Sequence, residues 1–146
     1  MEVARGKSMI KKFVERWEER KTELEDLFKR KHPENYHELV KSVIKILEED
    51  SNFDGPSSED TRELDFGGCN GLLMYIIPEK GGYPDAFWYL LVRYGSCSGC
   101  DTLKQIKNYE DPEFPNEQQV KDYMTLALHV VQGIKVLDSE SISMDM

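Results

Sequence analysis

No stretch of this chain approaches the roughly 18 consecutive apolar residues that a membrane-spanning helix needs, and cysteine is scarce, with only Cys69, Cys97 and Cys100. The first absence argues against a helical span or membrane partner. The second, an odd thiol count behind the charged start Met1-Glu2-Val3-Ala4-Arg5-Gly6-Lys7, argues against a disulfide framework and for reduced thiols in a cytoplasmic protein. Walker and Rossmann glycine patterns are also missing, since Gly67-Gly68-Cys69-Asn70-Gly71 is neither and reads as a tight turn. Repeats and low-complexity tracts are absent as well. With three histidines in the chain, His32, His37 and His129, a hydrolytic role for Ser96 or Ser98 would depend on His129 as base, the one histidine with a core-like setting in the pattern.

What is present begins with charge. The chain has 146 residues, 39% of them hydrophobic and 32% charged, enough for one domain with a sizeable core. Residues 1–50 balance at 12 Lys+Arg against 12 Asp+Glu, whereas residues 51–146 hold 7 against 16 and carry the whole net charge of −9. Such a field repels nucleic-acid phosphates and favours a basic protein partner.

Apolar residues recur at helical spacing from Ser8 to about Lys31, through Phe13, Trp17, Leu24 and Phe28, and predict an amphipathic helix interrupted at Arg20 and Lys21, where the middle is expected to be solvated or loosely docked. A second helix is predicted from Pro33 or Glu34 to Glu49, making a helical hairpin of residues 1–50. Residues 51–65 read as an exposed acidic loop. Gly71–Ile77 and Ala86–Tyr94 are rich in aromatic and β-branched residues and predict antiparallel strands, nearly continuous enough in apolar character to need cover on both faces. A short helix after Asp101 or Thr102 and a final helix from Asn116 to about Val136, read as the central core helix, complete residues 66–137, and 138–146 form a polar tail. The expected fold is a single α+β domain: helical hairpin, small antiparallel β-sheet, C-terminal core helix.

The segment Tyr94-Gly95-Ser96-Cys97-Ser98-Gly99-Cys100-Asp101-Thr102-Leu103 sets a C-x-x-C pair where a strand gives way to a helix. Three chemistries fit that spacing. As a thiol oxidoreductase, Cys97 would be the nucleophile, favoured by a helix N-terminus, and Cys100 the resolving thiol, but the βαβ pattern of such enzymes is missing. As a zinc site, Cys97 and Cys100 would be joined by Cys69 and by His129 or Asp101, although a second close ligand pair is lacking. As a structural corner, the thiols would pack as small hydrophobes among glycines and serines, with Asp101 at a helix N-terminus. The structural corner needs the fewest additional residues. Asp50-Ser51-Asn52-Phe53-Asp54-Gly55 copies the first half of a calcium loop, but Thr61 stands where the bidentate glutamate belongs, so an Asx-rich turn accounts for it equally well.

The motif from Tyr94 to Leu103 resembles a segment found in uncharacterised proteins of phages and prokaryotes, and the resemblance extends from about Asp65 to Ile106. It implies a small cytosolic accessory protein and marks Tyr94, Gly95, Cys97, Cys100 and Asp101 as candidate binding residues, with no catalytic role. Together these observations lead to the expectation of a non-enzymatic, acidic, inhibitor-like protein-binding module of phage or prophage origin that needs no cofactor. The alternative is a zinc-containing or thiol-redox protein.

Overall fold

The computed structural model describes residues 2–48, 55–66, 71–80, 87–93, 103, 106 and 114–137, with residues 2–9 described by backbone alone. In chain order the elements are α1 (Glu2–Arg30), α2 (Tyr36–Leu47), β1 (Arg62–Asp65), β2 (Leu72–Pro78), β3 (Phe87–Arg93), α3 (Glu117–Gly133) and β4 (Lys135–Val136). The four strands form one antiparallel meander in the order β1-β2-β3-β4. The fold is α+β, with two N-terminal helices and a C-terminal helix.

The helical hairpin forms as the periodicity predicts, except that α1 begins at Glu2 and not at the expected Ser8. Phe13, Trp17, Leu24 and Phe28 are buried along one side of α1, and lysine and arginine fill its last turn, where the helix dipole favours positive charge. Asn35 caps α2 by accepting the Glu38 backbone N–H at 2.8 Å. The interruption at Arg20 and Lys21 is partly solvated, as expected, but it is not loosely docked. Arg16 and Arg20 instead donate to the Leu47 and Glu48 carbonyls at 2.8 and 2.7 Å, satisfying acceptors that the end of α2 leaves without intrahelical partners.

Among the described residues the sheet has one covered face, where cover on both was expected. Burial alternates along β2, and Leu73, Tyr75, Ile77, Trp88 and Leu90 point to the helices. Phe13 meets Trp88 edge-on with ring centroids 5.1 Å apart, tying α1 to β3. Gly133 lets α3 approach the sheet closely, since a Cβ there would lie 2.8 Å from Leu90 Cδ1. Residues of the opposite parity, such as Leu64, Phe66 and Leu91, remain exposed. A continuous apolar run therefore does not mean two covered faces in this chain.

Two further expectations are corrected. The expected exposed acidic loop 51–65 contains a strand, β1, and a buried turn at 55–58. Ser57 N–H donates to Pro78 O, Lys80 N–H to Gly55 O, and Ser58 N–H to the Glu48 carboxylate at 2.6 Å. Its residues carry little strand propensity, and pairing with β2 imposes the conformation. The C-terminal helix lies in the core as expected, with Val120, Tyr123, Ala127, Val130 and Val131 buried, while α2 is the more completely buried of the two, at seven of its 12 residues against six of 17 in α3. The final helix starts where expected, with an Asn116–Gln119 capping box, but stops at Gly133, and Lys135–Val136 pair with β3.

Candidate functional site

Among the sequence-predicted site residues, Tyr94, Gly95, Cys97, Cys100, Asp101 and Cys69 lie outside the described residues, as does the first part of the calcium-like segment, 50–54. Their flanks are described. Arg93 ends β3 opposite Leu72, and the buried Leu103 donates its N–H to the Tyr36 hydroxyl at 3.1 Å, anchoring the far side of the motif to the start of α2. His129 does not have the core-like setting expected of it. It is exposed on α3 because the core side of that helix is taken by Tyr123, Ala127, Val130 and Val131. Among the described residues no group of three or more His, Cys, Asp and Glu side chains could hold a metal ion.

The other two histidines belong to polar contacts that join elements. His32 Nδ1 lies 2.7 Å from the Tyr123 hydroxyl, linking the hairpin turn to α3, while its Nε2 is buried without a hydrogen-bond partner. His37 Nδ1 lies 3.3 Å from Glu63 Oε2, an ion pair when the imidazole is protonated. The same oxygen accepts the Tyr75 hydroxyl at 2.7 Å, and the His37 and Tyr75 rings stack. Burial pushes the Tyr75 phenol well above its ordinary range, and the Glu63 carboxylate reinforces this by accepting its hydrogen bond. The phenol thus stays a donor, and the cluster fastens α2, β1 and β2 together.

A concavity of about 830 Å³ lies between α1 and α3. Trp17, Val120, Met124 and Leu128 give it an apolar lining. Glu18, Lys21 and Glu25 stand on the α1 side, and Glu117 and Lys121 on the α3 side. Lys21 is paired with Glu18 at 2.9 Å and Lys29 with Glu25 at 3.4 Å, so the rim is largely self-neutralised. Its volume suits apolar side chains of a partner or a small molecule. The sequence held one signal for this groove: α3 carries apolar residues on more than one side, and Met124 and Leu128, half-buried against the edge of the core, line it.

Among the described residues no helix is long and apolar enough to cross a membrane. Comparison with family models, with curated proteins and with solved structures finds no match. The chemistry of the site therefore rests on its own geometry.

Proposed function

We propose that this chain is a non-enzymatic protein-binding module, an accessory or inhibitor-like protein of phage or prophage origin acting in the cytoplasm, which engages a basic partner. The observation that carries the reading is the segregation of charge along the chain: residues 1–50 balance at 12 Lys+Arg against 12 Asp+Glu, and residues 51–146 carry the whole net charge of −9. Surplus charge of one sign accelerates encounter with an oppositely charged surface and discourages nucleic acid, while the apolar groove between α1 and α3 supplies area that charge alone does not. The resemblance of Tyr94–Leu103 to segments of phage and prokaryotic proteins supports the accessory role.

The test uses the full chain and an amphipathic lysine–leucine helical peptide, with a glutamate–leucine peptide as control. The lysine peptide should bind more tightly, lose affinity as salt rises, and lose about tenfold on Met124→Glu. Preference for the glutamate peptide in a Met124-dependent manner would reverse the charge assignment. Stoichiometric zinc in the purified protein, or an activity lost when a folded Cys97→Ser/Cys100→Ser variant is made, would replace this reading with the metal or redox one.

A further inference from the structure

We infer that the uncovered face of the sheet is a second docking surface, built for an acidic polypeptide segment with interspersed apolar side chains. Leu64, Phe66 and Leu91 on this face are 46%, 62% and 50% exposed. Leu64 faces Met74 across the β1–β2 register and Met74 faces Leu91, so one apolar row crosses three strands. At ordinary strand spacing the face measures roughly 20 Å by 15 Å, the scale of patches that mark interaction sites.

Its charge identifies the occupant. The alternation of strand side chains sends Arg62, Arg93 and Lys135 to this face, and sends Glu63 and Asp65 to the other. Among the described strand residues, the face therefore carries three cations and no carboxylate, in a chain whose net charge is −9. All three cations are exposed, and none forms an ion pair with a described residue. Cations that have no ion pair among the described residues and that frame an apolar row are complementary to an anionic, apolar ligand.

The alternatives fit less well. A second copy stacked through the same face would set arginine and lysine against arginine and lysine, which like-charge juxtaposition opposes. An anionic bilayer would offer the same chemistry, but its extended surface would also meet the field of the −9 chain. A short segment experiences mainly the local face, because charges beyond about 8–10 Å are screened at physiological salt. This surface is distinct from the groove proposed above, and charge reversal on it should not weaken binding of the lysine–leucine peptide.

Fluorescence anisotropy with a labelled peptide alternating glutamate with leucine and phenylalanine provides the test, with a lysine-substituted counterpart as control. The full chain should bind the acidic peptide. Arg62→Glu/Arg93→Glu/Lys135→Glu should weaken that binding about tenfold or more, and Leu91→Asp similarly, in proteins whose far-ultraviolet circular dichroism is unchanged. If the reversal variant does not fold, Arg62→Gln/Arg93→Gln/Lys135→Gln should show a smaller loss in the same direction. No binding of the acidic peptide, equal binding of its lysine counterpart, or an unchanged affinity in the folded variants would overturn the inference. So would phosphatidylserine-vesicle binding or self-association in the ultracentrifuge that the triple substitution abolishes, since either would assign the face to another occupant.

Discussion

Arg16 on α1 donates from its guanidinium Nη1 to the carbonyl of Leu47 at the end of α2, 2.8 Å away and 31 residues along the chain, with Arg16 itself only 7% exposed. A charged side chain facing the core stands there as a C-terminal cap supplied by the neighbouring helix. Glu48, the next residue, extends the same junction. Its carbonyl accepts from Arg20, its carboxylate accepts the Ser58 N–H and lies 3.6 Å from Lys80 Nζ, so α1, α2 and the turn before β1 meet at one point.

Replacing Arg16 by methionine keeps much of the apolar stem but removes the donor. The Leu47 carbonyl is then left in a buried setting with one fewer partner, and stability should fall by about 1–3 kcal/mol, the cost of an unsatisfied buried polar group. Arg20→Met should cost less, because Arg20 is partly exposed and water can replace it at the Glu48 carbonyl. Urea denaturation of the two variants checks the order. Equal losses, or none for Arg16→Met, would remove the capping role.

Native-state hydrogen exchange should rank α2 as the best protected helix. Leu39, Val40, Val43, Ile44 and Leu47 have no exposed surface, whereas α1 presents Val14 and Leu27 to solvent and α3 has one face in the groove. Amides from Val43 to Leu47 should exchange at rates set by global unfolding. Faster exchange there than in Tyr123–Val131 would make the C-terminal helix the better protected of the two and overturn this ranking.

The boundaries that the sequence disclosed were those governed by local rules. Periodicity located α2 and the end of α1, though not its start at Glu2, β-branched and aromatic runs located β2 and β3 to within a residue or two, and Asn116 marked the start of α3. Features created by tertiary approach were not legible. Arg20 looked like a break in a stripe because its acceptor lies on another helix. Arg62-Glu63-Leu64-Asp65 looked like loop because its strand conformation comes from pairing with β2. For the candidate site, the alternation in β2 and β3 was hidden by apolar side chains on both parities, so the open face with Arg62, Arg93 and Lys135 emerged only from the register. The thiol motif was conspicuous in sequence, and its cysteines lie outside the described residues.

Gly133→Ala tests how closely α3 sits on the sheet. Alanine in place of glycine at the helix end gains about 0.5–1 kcal/mol of backbone preference. The new methyl, however, would stand 2.8 Å from Leu90 Cδ1, and Leu90 is buried with little room to turn. Overpacking of this kind costs about 1–3 kcal/mol, so the net change should be destabilising by roughly 1 kcal/mol. Pairing it with Leu90→Val should recover part of the loss in a double-mutant cycle, whereas independent effects would show that the contact is looser than the geometry states.

Alkaline pH should weaken the fold through Tyr75. Its phenol is fully buried and donates to Glu63, and its pKa is raised above the ordinary 10.0, first by burial and then by that hydrogen bond. A raised folded-state value means that the folded protein holds a proton that the unfolded chain gives up. The stabilisation is therefore complete below pH 10 and drains away as pH rises beyond it, at about 1.4 kcal/mol per pH unit for one proton. Lysines titrate in the same range, so the informative quantity is a difference. At pH 7 Tyr75→Phe should be less stable than the parent by about 1 kcal/mol, having lost one hydrogen bond to a carboxylate. Between pH 10 and 11 that gap should shrink, because the phenylalanine variant has no phenol proton to lose. Urea midpoints collected from pH 7 to 11 for both proteins decide the matter, and profiles that stay parallel across the whole range would mean that Tyr75 is not held protonated by the fold.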